Sequence, residues 1–233
     1  ASYGRVLRNP MILGGYLNTL VYVSVGTVLN LFLTALGAYV LSRKRLLLRD
    51  AIMFFVVVTM FFSGGLIPFY LVVRGLGLAD TLWALVLPTA ISSYNLIVMR
   101  TAFAAVPDSM EESTRMDGAN DFVILFRIYV PLCMAVVAVM ILFYSVGHWN
   151  AWFNAMIFLR KREKYPLQLI LREILIAATT ESMMTEASAM DREPIGETIK
   201  YATIIVATLP ILFVYPFLQR YFIQGVMIGA LKE

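Results

Sequence analysis

Long apolar runs separated by short charged segments form the main pattern along this chain. A helix needs roughly 20 apolar residues to cross a bilayer core about 30 Å thick, and the longest runs reach that length. None of them alternates apolar and polar residues with the period of two that a barrel strand shows. The pattern therefore predicts an all-α, polytopic membrane helix bundle with five spans, at residues 17–41, 51–73, 82–103, 131–159 and 199–222. Pro68 and Pro88 predict kinks within two of these spans.

The composition supports a membrane protein that forms one domain over residues 1–233. Hydrophobic residues make up 60% of the chain and charged residues 15%, and the mean hydropathy is +0.78. A soluble domain is closer to half apolar and a quarter charged. The net charge of +4 comes from loop ends, and no segment interleaves basic with aromatic residues as a nucleic-acid surface does. We therefore expect membrane lipid, and no nucleic acid, around this chain.

The distribution of basic residues predicts which side each loop faces. Arg43, Lys44, Arg45 and Arg49 lie between the first two spans, so the positive-inside preference places that loop in the cytoplasm. Alternation then puts residues 109–131 in the cytoplasm and the long loop at 160–198 outside. The basic run "RKREK" at the start of this outer loop does not follow the preference.

A charged stretch between two spans, residues 109–131, has the pattern of a helix, a turn and a second helix. Ser109 and Glu112 have the spacing of a capping box, and Gly118 follows Asp117 where a left-handed turn ends a helix. The amphipathic segment after it ends at Pro131, which predicts the end of the second helix. A charged cytoplasmic loop with a chance capping spacing is the simpler interpretation of the same residues.

The spacing in this stretch resembles the EAA loop in the permease subunits of ABC importers. That loop reads E-A-A-x-x-D-G-A, then a variable stretch, then I-x-L-P, and this chain has "ESTRMDGA" followed by "IYVP". The resemblance extends through "FSGGLIPFYLVVRGLGLADTLWALVLP" and the terminal "QRYFIQGVMIGALKE", so it covers nearly the whole chain. The chain is thereby identified as a member of the carbohydrate-uptake permeases, with type I, MetI-like architecture. The resemblance assigns contact with an ATPase to Glu112, Ser113, Thr114, Asp117, Gly118, Ala119, Ile128 and Pro131.

The family resemblance also implies the partners. They are a second permease subunit, dimeric ATP-binding subunits and an extracytoplasmic solute-binding protein, assembled in the bacterial cytoplasmic (inner) membrane. The chain has no G-x-x-x-x-G-K-[ST] phosphate loop, so we expect it to be non-catalytic and to bind no cofactor, with ATP and Mg²⁺ held by the partner ATPase. Such permeases usually have six spans, which implies a further span before Ala1. The tail with Gly225 and Gly229 is either a frayed end or a second contact with the ATPase.

Residues 131–159 are candidates for the substrate path. At about 1.5 Å per residue a straight helix of this length reaches roughly 43 Å, so an interruption is expected, and Gly147 in "YSVGHWNAWFN" is the expected place. Aromatic faces and hydrogen-bonding side chains there suit a sugar. An interfacial aromatic belt is the alternative interpretation. The candidate residues are Tyr144, His148, Trp149, Asn150, Trp152 and Asn154.

The sequence gives less support to an enzyme, a metalloprotein or a secondary transporter. His148 and Cys133 are the only histidine and the only cysteine, so a metal site of the usual His/Cys type is not expected, and no catalytic set is evident. An ion-coupled secondary transporter or channel is the alternative function, although the spans lack acidic residues for ion coupling. The sugar stays open between acidic fragments, such as those of alginate or pectin, and neutral oligosaccharides.

Overall fold

A single long helix, α1, spans Pro10–Ser42 and forms the centre around which the other helices pack. The computed structural model describes residues 10–44 and 46–185, together with Tyr201, Ile205, Thr208, Leu209 and Leu212. Apart from those five residues, the fifth predicted span lies outside the described residues. The tail with Gly225 and Gly229 and residues 186–198 of the outer loop also lie outside them. Within the described part α1 is the one helix long and apolar enough to cross a membrane unaided. It confirms the first predicted span.

The all-α prediction is confirmed, because the described residues form helices and no strand. Two bent helix pairs would raise the number of spans in the described part to three if each pair counts as one. The further helices are α2 (Arg49–Phe61), α3 (Leu66–Gly75), α4 (Trp83–Val86), α5 (Ser93–Ala104), α6 (Asp108–Met116), α7 (Asp121–Leu132), α8 (Met134–Trp149), α9 (Phe153–Phe158) and α10 (Leu167–Thr185).

The second and third predicted spans are broken helices rather than continuous ones. Helices α2 and α3 meet at 115° across residues 62–65. The last of these, Gly65, has a φ of +79°, which favours glycine. Pro68 was the predicted kink, but it lies in the first turn of α3, where a missing N–H costs no helical hydrogen bond. Pro88 does mark a break, because a 3₁₀ turn at Leu87–Thr89 separates α4 from α5.

The predicted fourth span is interrupted within the expected stretch, but not at Gly147. Helix α8 continues through Gly147 to Trp149, and Asn150–Trp152 separate it from α9. At its other end α8 meets α7 at 91°. The helix predicted to end at Pro131 continues to Leu132, and Cys133 is the break. A π-helical turn at Leu125–Tyr129 precedes Pro131, so the chain adjusts its hydrogen bonds before the proline.

Buried polar residues along one side of α1 form what we call the polar seam. Thr27 bonds Ser145 at 3.2 Å, Asn30 bonds His148 at 3.1 Å, and Thr34 bonds Tyr144 at 2.6 Å. Each pair joins α1 to α8, and buried polar groups of this kind are costly unless paired. The polar seam of Thr27, Asn30, Thr34, Tyr144, Ser145 and His148 therefore fixes how these two helices face one another.

Gly26 lies where the imidazole of His148 touches α1. A Cβ at this position would be 2.4 Å from His148 Nε2, and the ring is buried and bonded to Asn30. We predict that Gly26→Ala destabilises the protein by roughly 1–3 kcal/mol, the usual cost of overpacking. Gly14→Ala in the same helix is the control, because a Cβ there meets nothing within 4 Å. Thermal unfolding of the purified protein in detergent measures both, and equal midpoints for the two variants would contradict the prediction.

Candidate functional site

Helix α6 begins one residue earlier than the sequence predicts, and it lacks the predicted side-chain cap. It starts at Asp108 after Pro107, and no side chain caps it. The predicted capping box of Ser109 and Glu112 is therefore wrong, because Ser109 already lies inside the helix. The acidic residues Asp108 and Glu111 lie in the first turn, where they face the positive end of the helix dipole.

The turn between α6 and α7 has the geometry that the sequence predicts. Gly118 has a φ of +81°. Its N–H donates to Arg115 O at 3.0 Å and the Ala119 N–H donates to Thr114 O at 3.2 Å, the two bonds of a Schellman motif. Asn120 then caps α7 by accepting the Val123 N–H at 2.9 Å. The predicted helix, turn and helix are confirmed.

Arg43, the first residue after α1, joins this pair of helices to the rest of the bundle. Its guanidinium forms ion pairs with Glu111 of α6 and with Asp121 of α7, the latter at 3.3 Å. It also lies 4.1 Å above the Tyr39 ring. The side chains of Arg43 and Glu111 are only 19% and 15% exposed, so this contact is shielded from solvent and is stronger than a typical surface pair.

Further side chains complete what we call the Arg43 cluster. Arg115 pairs with both carboxylates, at 3.1 Å to Glu111. The phenol of Tyr129 donates to Glu111 and that of Tyr39 donates to Asp121, each at 3.0 Å. The cluster of Tyr39, Arg43, Glu111, Arg115, Asp121 and Tyr129 borders a cavity of about 570 Å³.

Arg43 and Arg115 both stay protonated. The hydrogen bond to Glu111 raises the pKa of Arg115, whereas burial lowers the pKa of Arg43. An arginine remains charged in proteins even when its pKa falls somewhat. Both arginines of the Arg43 cluster therefore keep their positive charge.

The structure divides the predicted ATPase-contact residues into two groups. Ile128, Ala119 and Thr114 are half-buried, and the first two pack against the core. Met110, Met116 and Phe122, which the sequence analysis did not select, are 44%, 89% and 58% exposed. The exposed members of the predicted set are Glu112, Ser113, Asp117, Gly118 and Pro131.

Tyr144 and His148, two of the predicted substrate-path residues, use their polar atoms inside the bundle. Besides its bond to Thr34, the Tyr144 hydroxyl accepts the Ser92 N–H at 3.3 Å. Asn30, which bonds His148, also donates to Thr89 O at 3.1 Å. These bonds satisfy backbone groups on both sides of the break between α4 and α5. The sequence analysis missed Asn30 and Thr34, for which polar residues within an apolar run were the available signal.

The other four candidates surround the break after α8, and their side chains have different neighbours. Trp149 packs 6.3 Å from the Tyr16 ring. Asn150 is exposed and donates to Val146 O at 3.0 Å, and Asn154 is half-buried. Trp152 lies under a guanidinium, with Arg172 Cζ 3.4 Å from its ring centre. The structure thus pairs Trp152 with a residue that the sequence analysis did not select.

No group of His, Cys, Asp or Glu side chains in the described part of the chain is arranged to hold a metal ion. Cys133 is half-buried, and its thiol donates to Ala102 O at 3.6 Å.

A bundle with broken helices, whose charged helix pair is tied to the end of its longest apolar helix, has the features of a membrane transport subunit. Residues 31–228 match the family described as "Binding-protein-dependent transport system inner membrane component". The chain belongs to this family, and it is therefore an inner-membrane component of a transport system.

Relatives and a solved structure agree with this assignment. The polygalacturonan/rhamnogalacturonan transport system permease protein YtcP of Bacillus subtilis (strain 168) is 42% identical over 99% of this chain and 81% of that protein. Protein LplC of the same organism is 40% identical over 99% of this chain and 78% of that protein. A bacterial ABC transporter involved in the import of the acidic polysaccharide alginate superposes with a TM-score of 0.84 at 35% identity, over 95% of this chain and 79% of that one.

The contacts of Arg43 predict that it holds α6 in place. We expect Arg43→Gln to raise amide hydrogen exchange in α6 by at least about tenfold, because losing charge-assisted hydrogen bonds worth roughly 1.5–3 kcal/mol favours local opening. Lys44→Gln is the control, since Lys44 pairs with Asp108 where both side chains are exposed, at 72% and 64%. Exchange measured by mass spectrometry that rises equally in both variants would show that Arg43 has no special role.

Proposed function

We propose that this chain is a multi-pass permease subunit of an ATP-driven importer for carbohydrate. Polysaccharide fragments, such as those of pectin or alginate, are the substrate range that the relatives' names support. In this proposal ATP and Mg²⁺ bind to a dimeric ATPase, a second permease subunit completes the path, and an extracytoplasmic solute-binding protein delivers the sugar. The observation that carries the proposal is the Arg43 cluster, which links the helix pair α6–α7 to α1.

The outward side of α6 and the start of α7 suit a protein partner. Met116 and Phe122 are large apolar side chains that are exposed when the chain is considered without partners. Exposed apolar side chains with charged neighbours such as Glu112 and Asp117 are typical of an interaction surface. We infer that an ATPase subunit covers these side chains, and that its movement pushes α6.

The contacts behind α6 would carry that movement into the membrane. The Schellman turn and the Asn120 cap make α6 and α7 one rigid unit, and the Arg43 cluster ties this unit to the cytoplasmic end of α1. Helix α1 is bonded in turn to α8 through Thr34 and Tyr144. Movement of α6 would therefore shift α1 and α8 together, as in the rigid-body transitions that alternate access.

Reconstitution tests the proposal directly. The chain, its second permease and the ATPase subunits are placed in liposomes, with the binding protein and radiolabelled tetragalacturonate outside. We expect uptake that requires ATP inside, and ATP hydrolysis that rises when the loaded binding protein is added. A complex with an ATPase inactivated in its phosphate loop is the control. Uptake that continues with the inactive ATPase and follows an imposed ion gradient would instead establish a secondary transporter.

Gly118 provides a test of the coupling role at one backbone position. Because nothing lies within 4 Å of a Cβ there, a substitution tests the positive φ rather than the available space. Valine is strained in this conformation by roughly 1–2 kcal/mol, whereas asparagine adopts it more readily. We expect Gly118→Val to lower ATP-driven uptake several-fold while the protein still inserts into the membrane, and Gly118→Asn to retain most of it. Equal uptake by both variants would remove the turn from the mechanism.

A further inference from the structure

The basic segment at residues 160–164 lies at the end of the bundle opposite the Arg43 cluster. The Asn18 side chain donates to Glu163 O at 2.6 Å and the Tyr22 hydroxyl donates to Lys164 O at 2.7 Å. Both residues belong to the first half of α1, whereas Arg43 follows its last residue. The segment therefore lies on the outer side in the predicted topology, where the positive-inside preference disfavours it.

Asp80 holds this basic segment in a fixed shape. Its carboxylate accepts the N–H groups of Arg160 at 3.1 Å and Lys161 at 3.4 Å, and it pairs with Lys164 Nζ at 2.9 Å. The hydrogen bond from Lys164, followed by that from Arg160, lowers the pKa of Asp80 to about 2. Asp80 is thus fully charged at neutral pH. The side chains of Arg160 and Lys161 are exposed and form no ion pair with a described residue.

Arg172 on α10 lies beside this segment and has an unsatisfied donor. Its Nη1 is buried and has no hydrogen-bond partner among the described residues. Glu173, the next residue, is already paired with Arg162 at 2.5 Å. A buried guanidinium donor without a partner is costly. Arg172 is half-buried as a whole, and its Nε and Nη2 are not buried without a partner. A carboxylate would therefore bind the guanidinium along its Nε–Nη2 edge and not at Nη1.

The indole of Trp152 orients this guanidinium. Arg172 Cζ lies 3.4 Å from the ring centre, well within cation–π distance. Trp152 belongs to the break between α8 and α9, and broken helices are common places for substrate contacts in transporters. An oriented guanidinium is suited to bidentate binding of a carboxylate.

We propose that Arg172, oriented by Trp152, binds the carboxylate of a uronate residue as the saccharide enters the permease, and so selects acidic over neutral sugars. This inference rests on the proposed function and deepens it. The positive charge of Arg160 and Lys161 raises the local concentration of the anionic chain near this subsite. Nε and Nη2 of the guanidinium supply paired donors to the carboxylate, and no covalent bond changes.

Paired sugars and paired variants test this subsite in the reconstituted complex. The probes are tetragalacturonate and fully methyl-esterified tetragalacturonate, which keeps the rings and loses the charge. We expect Arg172→Gln to lower uptake of the free acid about tenfold relative to uptake of the ester, as the loss of a charge-assisted bond implies. Arg172→Lys keeps the charge and should retain more uptake of the acid than Arg172→Gln. Arg74→Gln is the control, because Arg74 is an exposed arginine at the end of α3 that is predicted to be on the same side.

Each outcome supports or overturns the subsite. A loss shared equally by acid and ester indicates a packing role, and no loss indicates a headgroup contact with lipid; both overturn it. Alternatively, Arg172→Gln lowers the apparent affinity of the complex for the solute-binding protein and reduces uptake of both sugars alike. That result would assign Arg172 to docking of the binding protein and would also overturn the subsite. If the wild-type complex imports only the acid, equal losses in Arg172→Lys and Arg172→Gln overturn it. Absence of ATP-dependent uptake of either sugar by the wild-type complex is a failure of the proposed function itself.

Discussion

The ion pairs that Arg43 makes with Glu111 and Asp121 are the contact on which the position of α6 and α7 depends. Two arginines, Arg43 and Arg115, face two carboxylates, so the charges within the cluster balance. A balanced and hydrogen-bonded cluster can lie partly buried at the end of a membrane helix, where a single charge would be costly. Because Arg43 directly follows α1, the cluster fixes α6 and α7 to the helix around which the bundle is built.

The polar seam has a related role deeper in the bundle. The break between α4 and α5 leaves backbone groups that lipid cannot satisfy. Asn30 of α1 bonds the carbonyl of Thr89 and Tyr144 of α8 bonds the N–H of Ser92. The hydroxyl of Tyr144 also bonds Thr34. One phenol therefore connects α1, α8 and the start of α5, and a shift of α8 relative to α1 would disturb the break at the same time.

Much of this arrangement can be predicted from sequence where the cause is local. Gly118 and the turn at the end of α6 follow from residue types and spacing, and the apolar runs predict the helical class. The breaks were harder, because α2 ends at Phe61 and α3 begins after Gly65, so the break precedes Pro68. The Gly64–Gly65 pair was the available signal for it. The Arg43 cluster was not predictable by these means, since Arg43 and Glu111 are 68 positions apart in the sequence and meet only through the fold. The positive-inside preference already accounts for a basic residue at position 43, so nothing in the sequence indicated its pairing with Glu111 and Asp121.

The charges at the two ends of α1 differ: those of the Arg43 cluster balance, whereas the opposite end carries an excess of positive charge. This excess affects the energy of bringing an anionic sugar to the protein. Residues 160–173 contain five bases, Arg160, Lys161, Arg162, Lys164 and Arg172, against Glu163 and Glu173, an excess of three positive charges. Asp80 offsets one of them. The membrane potential opposes inward movement of an anion by roughly 2.3 kcal/mol per charge per 100 mV. An acidic oligosaccharide with several carboxylates therefore gains from fixed positive charge at the entrance, but that attraction cannot supply the net work of import. In the proposed mechanism the work enters at the opposite end, where the Arg43 cluster connects α1 to α6 and α7.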